Sequence, residues 1–527
     1  QFIILEEVNM ESLKIFLNEQ VEILREQGNK FLNKEISMLD FKKASGKFGI
    51  YAERGGETFM VRIKIPSGVF NNKSISLLQD FIKKYDIKEI HPTTRQAIQL
   101  HKLSLDNVLD IFKECVENDL IGYGCGGNFP RNVTSSPLSN VERNEAFDVT
   151  PYANYTTDYF LKRIDTYHLP RKVKVGFSNS ESNLSNVTLT DLGFLATIKD
   201  NKKYFRVFVA GGLGKSPQVG LELPYMIEPT DVLYYVDALV ELFKENGNYE
   251  NKNKARIRYI LQEKGNEEFL NLYNSYIEKS KDKDLKVEEA KEITIPDANE
   301  GEIEENNNII AQKQKGRYTV IIKPIGGIIT SQDFNNIVNF IQNTDSKDYI
   351  KLIATMEESF YVNNLNCKEA LQLLEICKSF NQTKKLGQSL SCIGVPVCQM
   401  GIAESQTLLN SIIYHFEKNN LNKDLLPKIH ISGCPNSCGR HQVAMIGFAG
   451  KRKKVENEVL DAYELSIDGS FEENNTRLGK SIGDILAKDI PMFLEEVYNN
   501  LDTKNIDFIN FKDTQDFKQL CEKYCIK

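Results

Sequence analysis

Four cysteines constrain this chain more than any other feature. Cys392, Cys398, Cys434 and Cys438 form C-x5-C followed by C-x3-C within 47 residues of a 527-residue sequence. The local segments are SCIGVPVCQMG and SGCPNSCGRHQ, in which Gly394, Pro396, Gly433, Pro435 and Gly439 are turn residues. Such residues let a chain wrap tightly and aim backbone N–H groups at an anionic centre. Structural zinc sites use shorter gaps between cysteines at both ends, so the five-residue gap favours an iron–sulfur cluster. Four unrelated buried thiols are the alternative, because free cysteine is among the most buried residue types. The other six cysteines are scattered; Cys521 and Cys525, four residues apart near the end, read as core.

The rest of the composition narrows the class. With 41% hydrophobic and 26% charged residues the chain is neither disordered nor fibrous, and its length suggests three or four domains. A net charge of −7 argues against non-specific nucleic-acid binding, so any anion site must be a local basic pocket. No apolar run approaches the roughly 18–20 residues of a membrane span, and the opening QFIILEEVNMESL lacks the basic stretch and cleavage site of a secretory signal. A soluble, cytoplasmic protein is expected, in a compartment where thiols serve as ligands more often than as disulfides.

Residues 1–47 read as an amphipathic helical arm, with Leu13, Phe16, Leu17, Val21 and Leu24 at helical spacing. Residues 48–125 read as a β-α-β-α module: strand TFMVRIKI, helix SISLLQDFIKKY, strand EIHPTTRQAIQLH and helix LDNVLDIFKECVEN. The pattern returns in 316–385, with Pro324 and Gly326 aligned to Pro66 and Gly68. This internal duplication implies a pseudo-two-fold. Residues 126–280 mix strands and helices, 281–315 read as a charged, exposed linker, and 386–527 carry the cysteine motif. AGGLGKS at 210–216 lacks the first glycine of a phosphate loop, and GYGCGG at 122–127 follows a helix without opening one. With no flavin or nicotinamide domain in view, electrons are expected from a separate protein.

The informative cations sit at strand ends and turns: Arg62, Arg95, Arg131, Lys172 and Lys174. On a strand, Lys172 and Lys174 share a face, as do Arg95, Gln99 and His101, so each set forms one wall. Arginine offers a rigid donor fork and lysine a point charge whose pKa falls on desolvation; together they suit binding and protonation of an oxyanion. Taken singly, each is equally a solvated strand-edge charge.

With these residues in hand, the chain resembles the sirohaem-containing sulfite and nitrite reductases. GCPNSCGR after C-x5-C, TTRQ-x-x-Q-x-H, PRNV, LPRK-x-K and AGGLG occur here in that family's order, over about residues 48–500. The resemblance implies an α+β fold: two ferredoxin-like half domains in pseudo-two-fold duplication, plus two α/β domains that bind the sirohaem and the cluster. It implies that Cys392, Cys398, Cys434 and Cys438 hold a 4Fe–4S cluster, with Cys438 also the axial ligand of sirohaem. Arg62, Arg131, Lys172 and Lys174 match the set that clamps the anion and donates protons. Arg95, Gln99, His101, Asn436 and Arg440 match positions that pair with cofactor carboxylates. The implied reaction is six-electron reduction of sulfite to sulfide with electrons from ferredoxin or a similar small donor, or of nitrite to ammonia. Lys174 favours sulfite, because the more highly charged anion benefits from another cation. A cluster-only electron-transfer protein is a rival from another class, but it needs no anion clamp.

Overall fold

The structure is a computed structural model that describes residues 10–291, 293–298 and 301–526. The first nine residues of the opening segment lie outside the described residues. The arm is a helix, Met10–Leu32, whose buried stripe of Leu13, Leu17, Val21 and Leu24 packs on the helix Leu105–Glu117. The approach is close: a Cβ on Gly28 would stand 2.5 Å from Leu105 Cδ2. Among the described residues, no helix is long and apolar enough to cross a membrane.

The first half domain contains β1 (Ile50–Ala52), β2 (Phe59–Lys64), β3 (Glu89–Pro92) and β4 (Ala97–Leu103), with the helix Asn72–Lys84 after β2. The stretch EIHPTTRQAIQLH, expected as one strand, is a hairpin in which His91 pairs with Gln99 and Pro92 with Ile98. The turn between them needs Gln96 in the left-handed region (φ 54°), a conformation its sequence does not advertise. Arg95 therefore lies in the turn and does not share a strand face with Gln99 and His101.

The domain after it carries β5 (Thr134–Ser135), β6 (Val175–Ser178), β7 (Leu192–Lys199), β8 (Lys202–Val209) and β9 (Leu221–Glu222), paired in chain order. The second half domain has β10 (Ile309–Ala311), β11 (Arg317–Ile322), β12 (Ile329–Thr330), β13 (Lys351–Ala354) and β14 (Phe360–Asn366). Two expectations change here. Residues 309–311, read as linker, form β10 and pair with β11, because their apolar side chains complete the sheet edge. The duplication is also offset by one residue from the sequence alignment. Ser67 (φ 56°) and Gly326 (φ 61°) occupy the same left-handed position, so Pro66 corresponds to Ile325 and Lys64 to Lys323. The half domains join where β12 pairs with β3.

The last domain repeats the plan of β5–β9. Its strands β15 (Leu390–Ser391), β16 (Ile429–Ser432), β17 (Ile446–Val455), β18 (Glu458–Ile467) and β19 (Lys480–Leu486) pair in chain order, the first two ladders parallel and the last two antiparallel in both sheets. Residues 177–194 and 431–448 superpose without a gap: Asn186 (φ 50°) and Arg440 (φ 56°) each cap a short 3-10 turn before the third strand. Gly193 and Gly447 match as well, since a Cβ on either would strike a carbonyl, Val187 O at 2.1 Å or His441 O at 2.0 Å. The two copies clasp each other. Gln442 bonds the backbone of Gly214 in both directions (3.0 and 2.8 Å), while Asn183 donates to Phe471 O at 2.6 Å and Thr188 meets Thr476 at 2.9 Å.

Candidate active site

Both cysteine motifs begin at the carboxyl ends of adjacent parallel strands, β15 and β16, where open α/β sheets form ligand crevices. The Cys392 N–H donates to Ile431 O at 3.1 Å, and the Gly433 N–H donates to Cys392 Sγ at 3.2 Å. Gly394 adopts φ 54°, and a Cβ there would stand 2.2 Å from Ser405 Oγ, so only glycine fits this bend. Arg54, from the first half domain, braces the same loop by donating to Gly401 O at 2.8 Å. Burial pushes the Cys392 thiol up to about 12 and raises Cys434, whereas Cys438 is exposed and lies in the field of Lys172, which favours its thiolate. The two raised thiols stay protonated until a metal ion displaces the proton. Among the described residues, no three His, Cys, Asp or Glu side chains stand together as a ready site for a single metal ion. The donor set, its glycine cradle and its N–H contact to sulfur fit a thiolate-held cluster.

Facing Cys438 is a cluster of half-buried cations. Lys172 and Lys174 flank Val173, whose bridge to Pro130 extends the chain just before β6. Burial, reinforced by Lys174, drives Lys172 well below the usual lysine range; burial with Arg95 and Arg256 lowers Lys174 to about 7. Arg131 is turned into the loop after the helix Leu105–Glu117, donating to the carbonyls of Gly124, Gly126, Phe129 and Gly127 at 3.2, 2.8, 3.1 and 2.8 Å. The glycines of GYGCGG thus build a carbonyl nest for a guanidinium. Arg62 donates to Cys125 O at 2.8 Å and, with the Gln99 amide oxygen turned toward it, to Gln99 at 2.6 Å. Arg95 donates to Asn132 O and Val175 O at 2.6 and 2.9 Å, and burial lowers it to about 9.

Sequence reasoning missed the counter-charge. Asp191, fully buried, takes a forked contact from Arg256 (2.8 and 2.7 Å to Nη2) and accepts the Lys174 backbone N–H at 2.8 Å. A lone charge in the apolar stretch TLTDLGF was the available signal. Arg258, four per cent exposed, has Nε and Nη1 without partners beside Gly212 of the AGGLG loop.

The residues expected near cofactor carboxylates are divided by the fold. His101 Nδ1 meets Glu53 at 2.8 Å while its Nε2 has no partner, and Arg95 Nε is likewise buried and unpaired. Burial lowers His101 despite Glu53. These orphaned donors fit an anionic ligand. Asn436 is exposed in the Cys434–Cys438 loop. Arg440 is already engaged, with Nη1 on Asn186 and Nη2 on Glu357, both at 2.5 Å.

Comparison with known proteins agrees with this architecture. Residues 51–118 match the nitrite/sulfite reductase ferredoxin-like half domain, and residues 126–281 match the nitrite and sulphite reductase 4Fe-4S domain. The four cysteines lie outside both stretches, in the second copy; the first copy carries Ser180 and Leu184 where Cys434 and Cys438 stand. A ferredoxin–nitrite reductase of Synechococcus elongatus is 25% identical, covering 83% of this chain and 85% of its own. The sulfite reductase [NADPH] hemoprotein beta-component of Oceanobacillus iheyensis is 24% identical, covering 86% and 81%. The solved NirA protein of Mycobacterium tuberculosis shares the fold, with a TM-score of 0.76 at 18% identity over 94% of each chain. Duplicated fold and matched domains define an anion-reducing oxidoreductase. The chain carries two domains that match the nitrite and sulfite reductase family, one of them its 4Fe–4S domain, and its curated relatives are reductases that use sirohaem and a 4Fe–4S cluster.

Proposed function

We propose that this chain reduces sulfite to sulfide in a six-electron reaction, drawing electrons from ferredoxin or a similar small donor. Cys392, Cys398, Cys434 and Cys438 would hold the 4Fe–4S cluster, with Cys438 shared with the sirohaem iron. The cofactor pair, when bound, would supply electrons one at a time to the substrate anion. Lys172 and Lys174 bind that anion through ammonium groups that have no acceptor among the described residues. Lys174, lowered to about 7, gives up a proton from Nζ near neutrality and regains it from solvent. Arg62 and Arg131 keep the floor of the pocket positive while their guanidinium groups hold Cys125 O and the glycine-loop carbonyls. Arg95, Gln99 and His101, together with Asn436 and Arg440 through its unpartnered Nε, are the candidates for cofactor carboxylates.

The observation that carries the reading is the surplus of buried and half-buried cations that share the field of the buried Asp191 beside Cys438. That surplus favours sulfite over nitrite by charge. Nitrite is the second reading, since relatives from Synechococcus elongatus and Arabidopsis thaliana are named ferredoxin–nitrite reductases. The test is the absorption spectrum of purified, dithionite-reduced protein with each anion, followed by turnover with reduced ferredoxin. Haem bands that shift with the anion and faster sulfite turnover are expected. Faster nitrite turnover supports the second reading, and a cluster spectrum with no haem bands after reconstitution refutes both.

A further inference from the structure

Arg440 stands where the two copies of the large domain meet on their pseudo-two-fold axis. It follows Cys438 by two residues, adopts φ 56° and is four per cent exposed. Its Nη1 donates to Asn186 Oδ1, and Asn186 is its own equivalent in the first copy. A contact between equivalent residues lies on the axis that relates them. Asn186 is itself held, donating to Asn183 O at 3.1 Å.

The other end of the guanidinium meets Glu357, in the turn between β13 and β14. Glu357 corresponds to Arg95 in the first half domain, because Gln96 and Glu358 share the same left-handed position (φ 54° in both). The duplicated turn thus places Arg95 toward the cation pocket in one copy and a carboxylate against the cluster loop in the other. Lys428 stands 3.6 Å from the same carboxylate, and Lys323 donates to Glu358 O at 3.3 Å, which holds the turn in place.

Cys438 has few anchors of its own. Thr94 Oγ1 donates to its carbonyl at 3.3 Å, the Gly439 N–H reaches Ser432 Oγ at 3.1 Å, and the Arg440 N–H reaches Ser437 O at 3.1 Å. Charge-assisted hydrogen bonds are about twice as strong as these neutral ones. We propose that Glu357 and Asn186 are positioning residues for Cys438: acting through Arg440, they fix the loop that aims its sulfur at the Lys172–Lys174 pocket. The assignment rests on the cofactor reading above for its role, but the brace is a property of the chain alone.

Three variants test it in the full-length protein: N186A, which alters no charge, E357Q, and R440M, which removes the shared guanidinium. The first readout is hydrogen exchange of residues 433–443, whatever the cofactor load. Exchange at least tenfold faster in N186A and E357Q, with 446–467 unchanged, is expected; wild-type rates in both overturn the brace. The second readout is the cluster's midpoint potential, followed by electron paramagnetic resonance. Each single variant should change the reduction equilibrium about tenfold, or about 59 mV for one electron. Neither should add to that change in the R440M background, because both act through the same side chain. An undiminished effect of E357Q in R440M means that its charge acts directly, and overturns the proposal. A wild-type protein that takes up no cluster refutes the cofactor reading instead, while the exchange result still decides the brace.

Discussion

Replacing Asp191 by asparagine should be among the most damaging single changes available. The carboxylate is completely buried and is the counter-charge to Arg256, with Arg95, Lys174 and Arg258 also in its field. D191N keeps the shape and can still accept the Lys174 N–H, so the loss is almost purely one of charge. Breaking one side of a buried ion pair costs about 3–5 kcal/mol, because the other charge is left uncompensated. At a urea dependence of about 3 kcal/mol/M, the domain's unfolding midpoint should fall by about 1–1.7 M. The chain has no tryptophan, so circular dichroism is the suitable probe. Replacing both partners, as in D191L/R256M, should recover much of the loss, since an apolar pair leaves no buried charge. A D191N protein within about 0.5 kcal/mol of wild type, the scatter expected of an inconsequential surface change, would refute the reasoning.

Two further outcomes follow from the pocket. Burial lowers Lys174 to about 7, so between pH 7 and its ordinary pKa the unfolded chain binds more protons than the folded one. The stability of the anion-free protein should therefore rise with pH across that window, while anion affinity falls toward tenfold per pH unit above 7. Thermal unfolding and anion titration read the two trends, K174M should flatten both, and a pH-independent affinity from 7 to 9 would contradict the assignment. R131M should release the carbonyls of Gly124, Gly126, Gly127 and Phe129, each a charge-assisted contact worth about 1.5–3 kcal/mol. Limited proteolysis should then cut within 122–130, with R131K intermediate because an ammonium cannot fork, and an uncut R131M loop would count against the nest.

Much of this was legible in the sequence because it is local. The spacing of Cys392, Cys398, Cys434 and Cys438 pointed to a metal site, and the stripe of Leu13, Leu17, Val21 and Leu24 marked the buried face of the arm. Periodicity failed at EIHPTTRQAIQLH, and residues 351–362 of the second half domain turn in the same way. Their turns depend on left-handed Gln96 and Glu358, and neither stretch contains the Gly or Asn that usually signals one.

What the sequence by itself determined was the inventory: four thiols at cluster spacing, cations at strand ends, and a duplicated half domain. Tertiary structure alone decided which of them meet. The second duplication is hidden because Ser180 and Leu184 replace the cysteines, and only equivalent strand pairings reveal it. Arg131 turned back into a carbonyl nest a few residues upstream, while Arg440 went to Glu357 and Asn186, and Asp191 to Arg256, across long chain separations. Such pairings follow from burial: a desolvated charge or hydrogen-bonding group must take whatever partner the fold brings within reach, and sequence spacing carries no record of that partner.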